Sequence, residues 1–473
     1  MLRKTSHNSR RKVAFAHAKA MVMKMQKKFA VTPPAYGVRA LEILEENGFE
    51  AWFVGGCVRD FLLGLSPGDW DITTSARPEE ILRCFRGFRC IETGIRHGTV
   101  TVLIEEQPVE ITTYRSDGAY RDHRHPEEVK FSRQLEDDLS RRDFTVNAMA
   151  YHPKRGLVDK YHGVKDLEEK RIRCVGEPDR RFTEDALRIL RCLRFASRLG
   201  FSIESATADA LRRQKKLLSE ISHERVKIEL EKLLVGDHAE EILREYFDVL
   251  FVILPELAPM KGCTQERPYH CFDVWEHTLH AVGSAPNDPI VRWAALFHDC
   301  GKPGVKTYEP EGVAHFYGHD KESARIADIC CERLRFSNRE REAVCALVAR
   351  HGEPLPMPEK RVKRLLGKLG EEQLFRLFDL MRGDVSAQSP AVREERLSYL
   401  EDCKALAKKL IEDGQCLTLR DLEVNGNDLL ALGFSKNRLL GTALQALLDE
   451  VLAGTLLNEK EVLLEEAKKF LKQ

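Results

Sequence analysis

Gly55-Gly56-Cys57-Val58-Arg59-Asp60, followed by Asp69-Trp70-Asp71, is the stretch on which the reading of this chain turns. Upstream, Ala51-Trp52-Phe53-Val54 is apolar and aromatic and predicts a short buried strand. Phe61-Leu62-Leu63-Gly64-Leu65 predicts the helix after the glycine turn. The expected order is therefore strand, glycine turn, helix, then a strand carrying Asp69 and Asp71. Residues i and i+2 of a strand share a face, so the two carboxylates project together. So placed, they can hold divalent metal ions against a nucleoside triphosphate. Two surface aspartates would give the same spacing; the glycine turn in front favours the metal site.

The chain has 473 residues, too many for one hydrophobic core, and about three or more domains are expected. No apolar run approaches the ~18 residues of a membrane span and no signal peptide is visible, which predicts a cytoplasmic protein without membrane contact. The 13 cysteines stand singly or as Cys330-Cys331, without C-x-x-C spacing. That pattern suits buried reduced thiols better than a disulfide framework or a zinc ribbon. Net charge is zero, but nine of the 75 Lys/Arg lie in residues 1–30, which carry no acid, so the remainder holds 66 bases against 75 acids. Any nucleic acid must then be met by a local basic surface, not by the average field. Residues 1–33 form a basic extension with a helical pattern between Val13 and Phe29. It reads as an RNA-touching arm, a targeting peptide or, as favoured here, a poorly ordered tail ahead of Met21, Met23 and Met25.

Residues 34–160 alternate between α and β patterns. Helices are expected over Val38 to Asn47 and Pro78 to Phe85, and a hairpin from Thr99–Glu105 and Val109–Thr113 around Glu106-Gln107-Pro108. Glu110, within Val109-Glu110-Ile111, is the obvious third carboxylate: a metal partner, a proton acceptor for an attacking hydroxyl, or an exposed strand residue. The polar stretch from Tyr114 to Pro126 reads as a loop. Beyond Leu199 the apolar spacing is helical, with basic runs at 211–216 and 222–227 that suit RNA phosphates or a solvated face.

The glycine turn, Asp69-Trp70-Asp71 and then Arg141-Arg142-Asp143-Phe144-Thr145-Val146-Asn147-Ala148-Met149-Ala150 resemble the nucleotidyltransferase head of the polymerase-beta superfamily. More narrowly, the chain resembles class II tRNA nucleotidyltransferases, which add CCA to tRNA 3′ ends, and their poly(A) polymerase relatives. The resemblance implies that Gly56 and Arg59 touch the nucleotide, Asp69 and Asp71 bind Mg2+, and Arg142 meets the triphosphate. It also assigns the loop to the switch from C to A addition. Phosphoryl transfer asks mainly for positioning and charge neutralisation, which these residue types supply.

Glu184-Asp185-Ala186-Leu187-Arg188-Ile189-Leu190-Arg191-Cys192-Leu193-Arg194-Phe195 predicts a helix whose Asp185, Arg188, Arg191 and Arg194 recur every third residue. Salt-bridged pairs on a surface helix would look the same. A carboxylate beside a guanidinium has a second use. Cytosine and adenine each present an amino donor next to a ring-nitrogen acceptor, which Asp accepts from and Arg donates to. Uracil and guanine present the reverse order and are rejected. The resemblance gives this task to Asp185 and Arg188, with Arg191 and Arg194 behind.

A second constellation comprises His277, His298-Asp299, His319, His351 and Asp384. It resembles the metal-dependent HD phosphohydrolases, which implies His277, His298, Asp299 and Asp384 as ligands of a transition metal, with His319 and His351 serving a second metal or a phosphate. A structural, degenerate module is the alternative. The C-terminal stretch, with Val424-Asn425-Gly426-Asn427-Asp428-Leu429 and Leu432-Gly433-Phe434, resembles the tails that grip the acceptor and TΨC arms of tRNA; its glycine turn is a phosphate seat or only a helix cap.

The expected fold class is an α/β nucleotidyltransferase head followed by an all-α neck, body and tail with an inserted HD helical domain. The expected boundaries are 1–33 extension, 34–160 head, 161–262 neck and body, 263–390 HD domain and 391–473 tail. The expected activity is Mg2+-dependent addition of C, C and A to tRNA from CTP and ATP, with possible HD phosphohydrolase activity and no stable protein partner. The rivals are a poly(A) polymerase, and an HD phosphohydrolase with an RNA-binding head.

Overall fold

The computed structural model describes residues 32–116, 130–266, 271–309, 313–414, 418–435 and 438–470. The basic extension and most of the loop from Tyr114 to Pro126 lie outside these residues. The chain divides into two compact units, one of residues 1–238 with 246–253, the other of residues 239–245 with 254–473.

The first unit is built on a seven-stranded sheet. Its strands are β1 (Ala51–Val54), β2 (Ile72–Thr74), β3 (Arg89–Ile91), β4 (Thr99–Ile104), β5 (Gln107–Thr113), β6 (Met149–His152) and β7 (Gly156–Asp159), in the spatial order β3-β4-β5-β2-β1-β6-β7. Every pairing is antiparallel except β2 with β5, which run parallel. All four residues of β1 are buried, as its apolar composition requires of a central strand. Helix α1 (Ala35–Glu46) buries Ala40, Leu41, Ile43 and Leu44, while α2 (Gly56–Leu62) and α3 (Pro78–Cys84) follow β1 and β2.

Three local expectations change. The helix after the glycine turn begins at Gly56 itself and ends at Leu62, so Gly55 is its N-cap and Leu63 to Leu65 lie beyond it. Asp69 and Asp71 stand on the extended segment leading into β2, not on the strand. The hairpin turns at Glu105 and Glu106, both with positive φ (52° and 61°), so Gln107 and Pro108 belong to β5. That is the geometry of a two-residue turn, and it lets the two strands pair without a bulge.

The stretch expected as one helix from Glu184 is broken. Helix α4 (Pro178–Glu184) ends before Asp185, whose backbone is extended (φ −143°, ψ 101°), and α5 (Leu187–Leu199) starts two residues on. An aspartate at a helix start bonds its own following N–H groups, and Asp185 Oδ1 accepts from Leu187 N at 3.2 Å. Propensity favoured continuity; the local side-chain bond ahead of the Ala186 N-cap goes with the break. Helix α6 (His223–Leu234) packs along α5.

The second unit is helical. Helices α7 (Val274–Ser284), α8 (Pro289–Phe297), α9 (His319–Arg333), α10 (Asn338–Val348) and α11 (Glu371–Ser386) bury Trp275, Trp293, Phe297 and Phe378 completely. A separate apolar cluster, with Leu429, Ala443, Leu447 and Leu463, holds the C-terminal helices together. There Asn425 caps the helix Gly426–Ala431, accepting from the N–H groups of Asn427 and Asp428. The donors that a phosphate would need are already used, so this glycine turn is a cap. Among the described residues no helix is long and apolar enough to cross a membrane, and every cysteine is free.

Candidate active site and a second metal-ligating cluster

Trp70 is buried against Phe53 at 4.8 Å between ring centroids, while Asp71 is half-buried and lines the cavity and Asp69 is exposed and lies outside its lining. The parallel register pairs Ile72 with Ile111, which sets Asp71 level with Glu110 on the neighbouring strand. Burial, then the charges of Asp69 and Glu110, push the Asp71 carboxyl up to about 7, against the pull of Arg142. Mutually repelling oxygen donors of this kind suit a hard divalent cation. Asp71, Glu110, Arg142, Asp185, Arg188, Arg191 and Arg225 all line one cavity of about 330 Å3.

Gly55 has φ +79°, and a Cβ there would stand 2.9 Å from Arg142 Nη1; only glycine lets the arginine come so close. Asp138 holds Arg142 from behind at 2.9 Å and Arg141 on its other oxygen. Burial alone would raise Asp138, but Arg142 and Arg141 keep its carboxyl well below the usual carboxylate range. Arg59 does not line the cavity. It is buried, bonded to Asp60 and, at 2.7 Å, to Asn147 Oδ1. Asn147 donates in turn to Asp143, whose other oxygen receives Arg191. Although burial pushes Asp143 upward, Arg191 and these hydrogen bonds hold it well below the usual range. Arg59 thus braces the floor under the turn rather than reaching the cavity. Gly56 opens α2 above it.

The triplet stripe does not form the chain of neighbours that its spacing suggested, because each member has a partner from another turn or element. Asp185 accepts from Arg225 at 3.3 Å; Arg188 donates to Glu184 at 2.9 Å and to the carbonyls of Arg181 and Arg141. Arg191 is held by Asp143, and Arg194 pairs with Glu229 at 2.6 Å and lies over the Phe195 ring, outside the cavity lining. Asp185, Arg188 and Arg191 still meet at the cavity wall, with their planes fixed by these bonds.

In the second unit the histidines and aspartates converge. His277 Nε2 lies 2.9 Å from Asp384 and 3.6 Å from Asp299, and His298 Nε2 lies 3.2 Å from Asp299. His319 and His351 approach the other Asp299 oxygen at 3.5 Å each. Asp299 therefore belongs to two ligand-like groups, one with His277 and His298 and one with His319 and His351. The Nδ1 atoms of His298, His319 and His351 sit 2.7–2.9 Å from the carbonyls of Ala295, Phe316 and Val348. A carbonyl only accepts, so each Nδ1 carries a proton and each ring turns its Nε2 inward. The Nε2 atoms of His319 and His351 then face each other at 3.1 Å, which calls for a cation or proton between them. These donors fit a transition metal.

Two site residues escaped the sequence. Arg225 fell in a basic run attributed to RNA phosphates, and nothing in spacing ties it to Asp185. Lys302, whose Nζ is 2.7 Å from both Asp299 Oδ2 and Gln265 Oε1, stands one helical turn after His298-Asp299; that spacing was a usable signal.

Residues 51–173 match the poly A polymerase head domain, 200–261 the probable RNA and SrmB-binding site of polymerase A, and 267–388 the HD domain. A CCA-adding enzyme of Ligilactobacillus salivarius is 31% identical over 92% of this chain and 97% of that protein. One of Enterococcus faecalis is 34% identical over 93% and 98% respectively. Among solved structures, the Bacillus stearothermophilus CCA-adding enzyme in complex with CTP matches at 28% identity and TM-score 0.71, covering 93% of this chain and 98% of that one. A Thermotoga maritima CCA-adding enzyme complexed with tRNA shares the fold at 21% identity and TM-score 0.58, over 95% and 98%.

Proposed function

The chain belongs to the CCA-adding enzyme family, and on that premise we propose how its own residues carry out the addition of C, C and A to tRNA 3′ ends from CTP and ATP. The observation that carries the reading is the convergence of Asp71, Glu110 and Arg142 with Asp185, Arg188 and Arg191 around a single cavity. Asp69 and Asp71 are the residues that would hold Mg2+, which supplies charge neutralisation to the triphosphate and the attacking oxygen when bound. Arg142, fixed between Asp138 and Gly55, presents a guanidinium to the phosphates without having to reorganise. The tRNA 3′-hydroxyl oxygen bonds to the α-phosphorus as the bond to pyrophosphate breaks. Glu110, level with Asp71, is placed to take the hydroxyl proton.

Base choice falls to Asp185 and Arg188. Arg225 orients the Asp185 carboxylate, and Glu184 with two carbonyls sets the Arg188 plane. The amino group of cytosine or adenine donates to Asp185 and the ring nitrogen accepts from Arg188. Incubating tRNA that lacks its CCA end with CTP alone, ATP alone or both tests the reading. Arrest after C, C and A supports it; ATP-only tailing of indefinite length would make this a poly(A) polymerase.

The convergence of imidazole Nε2 atoms on Asp299 favours a second reading for the other unit, phosphoester hydrolysis with His277, His298, Asp299 and Asp384 holding a transition metal. There a water oxygen bonds to phosphorus, the ester P–O bond breaks, and the leaving oxygen takes the proton. Hydrolysis of bis(p-nitrophenyl) phosphate with manganese, lost in His298→Ala, is the expected result. No hydrolysis with any first-row metal would leave the cluster structural.

A further inference from the structure

A cleft of about 1490 Å3 lies in the second unit and reaches His319 of the histidine–aspartate cluster. It is larger than the ~300–1,000 Å3 of an ordinary small-molecule site. Its walls come from the 316–321 segment, residues 349–354 after α10, the helix Glu359–Leu369, residues 418–420 and the helix Arg438–Ala453. Two of its acids are already neutralised, Glu353 by Arg361 and Asp449 by Arg364 at 3.0 Å. Lys321, Lys368 and Arg420 are exposed and have no ion-pair partner among the described residues, and Arg350 spends one N–H on the Ala346 carbonyl. Against these four cations stands Asp320. On the rim Tyr317 is 77% exposed, with one ring face stacked on His315 at 4.9 Å. An aromatic side chain stacked on a neighbour and otherwise exposed, in a cleft that also presents unpaired cations, is the arrangement that receives unpaired nucleotides.

We propose that this cleft seats a single-stranded RNA end of about three to four nucleotides, one base stacked on Tyr317 and the phosphates met by Lys321, Arg350, Lys368 and Arg420. The terminal phosphate is thereby led to the histidine–aspartate cluster. The inference rests on that cluster being a phosphoester site, and it goes further by naming the substrate class and the residues that read it.

The test uses the full chain in chelator with a 3′-phosphorylated RNA hexamer carrying 4-thiouridine. Photocrosslinks are mapped by mass spectrometry, and affinity is followed by anisotropy across a salt series. Crosslinks to peptides containing Tyr317 or Arg420 are expected. They should weaken at least tenfold in the Lys321→Glu/Lys368→Glu/Arg420→Glu variant, with the log K versus log salt slope reduced by about 2. Tyr317→Ala should lose about tenfold and Tyr317→Phe should retain binding, since stacking needs the ring and not the hydroxyl. Crosslinks confined to other regions, unchanged binding in the triple variant, or equal cleft crosslinking of duplex RNA would each overturn the proposal. Bis(p-nitrophenyl) phosphate separates it from its premise, because that substrate is too short to reach the cleft. Hydrolysis that survives the triple variant while RNA capture is lost supports both. RNA capture without any hydrolysis removes the phosphoester reading and reduces the cleft to a binding site.

Discussion

Asp71 carries opposite demands. On the proposed reading its carboxylate holds the cation, yet burial and the charges of Asp69 and Glu110 push it up to about 7, so without metal its ionised form strains the head. Asp71→Asn should therefore abolish nucleotidyl transfer while raising the melting temperature of the head in chelator by about 2–4 °C. Calorimetry in EDTA reads this directly; a fall in Tm would mean that the carboxylates do not oppose one another. On the proposed reading Asp185 sets base choice instead of rate. An asparagine there can donate to a uracil carbonyl, so Asp185→Asn should raise UTP incorporation relative to CTP by about tenfold or more in single-nucleotide extension assays. Gly55 is required twice, by its positive φ and by Arg142. Gly55→Ala should cost about 1–3 kcal/mol in denaturant titration and raise KM for the nucleotides by displacing the arginine. At this scale the sequence was informative about which residue types matter. It could not supply their partners: Arg59 has the right chemistry for a nucleotide contact but lies buried on Asn147, a residue 88 positions away.

Among elements, the segment from Asp138 to Asn147 ties the sheet to α5, through Asp138, which accepts from Thr73 of β2 and holds two arginines, and Asp143 beneath Arg191. Both carboxyls are lower in the folded than in the unfolded chain, so the stability they confer is complete above their ordinary value and lost as pH falls through and below about 4. Acid unfolding of the head should accordingly begin near pH 4, and Asp143→Asn should both cost about 3–5 kcal/mol at pH 7 and flatten that acid limb. Periodicity and composition revealed β1, the hairpin and the helices Ala35–Glu46 and Pro78–Cys84 to within a few residues. The break at Asp185 was invisible, because helix propensity is summed over a window, whereas the break is made by one side chain bonding the N–H of Leu187.

Over the whole molecule, the nucleotidyl-transfer cavity and the histidine–aspartate cluster lie in different units, so on the proposed reading each should be silenced without the other. His298→Ala should remove metal-dependent phosphoester hydrolysis and leave CCA addition intact, and Asp71→Asn should do the reverse. Measuring both activities on both variants checks this; loss of both in either variant would mean the units do not act independently. The sequence by itself determined the order of parts and the chemistry available to them: glycine turn, paired aspartates, arginine-rich segment and histidine series are local patterns, and residue type with spacing is sufficient to recognise local patterns. Only the tertiary structure decided which groups meet. The parallel pairing of Ile72 with Ile111 made Glu110 the neighbour of Asp71, α6 brought Arg225 to Asp185, and packing of distant helices gathered His277 and Asp384 within 2.9 Å. Contacts between residues far apart in the chain depend on register and packing, which no short window of sequence encodes.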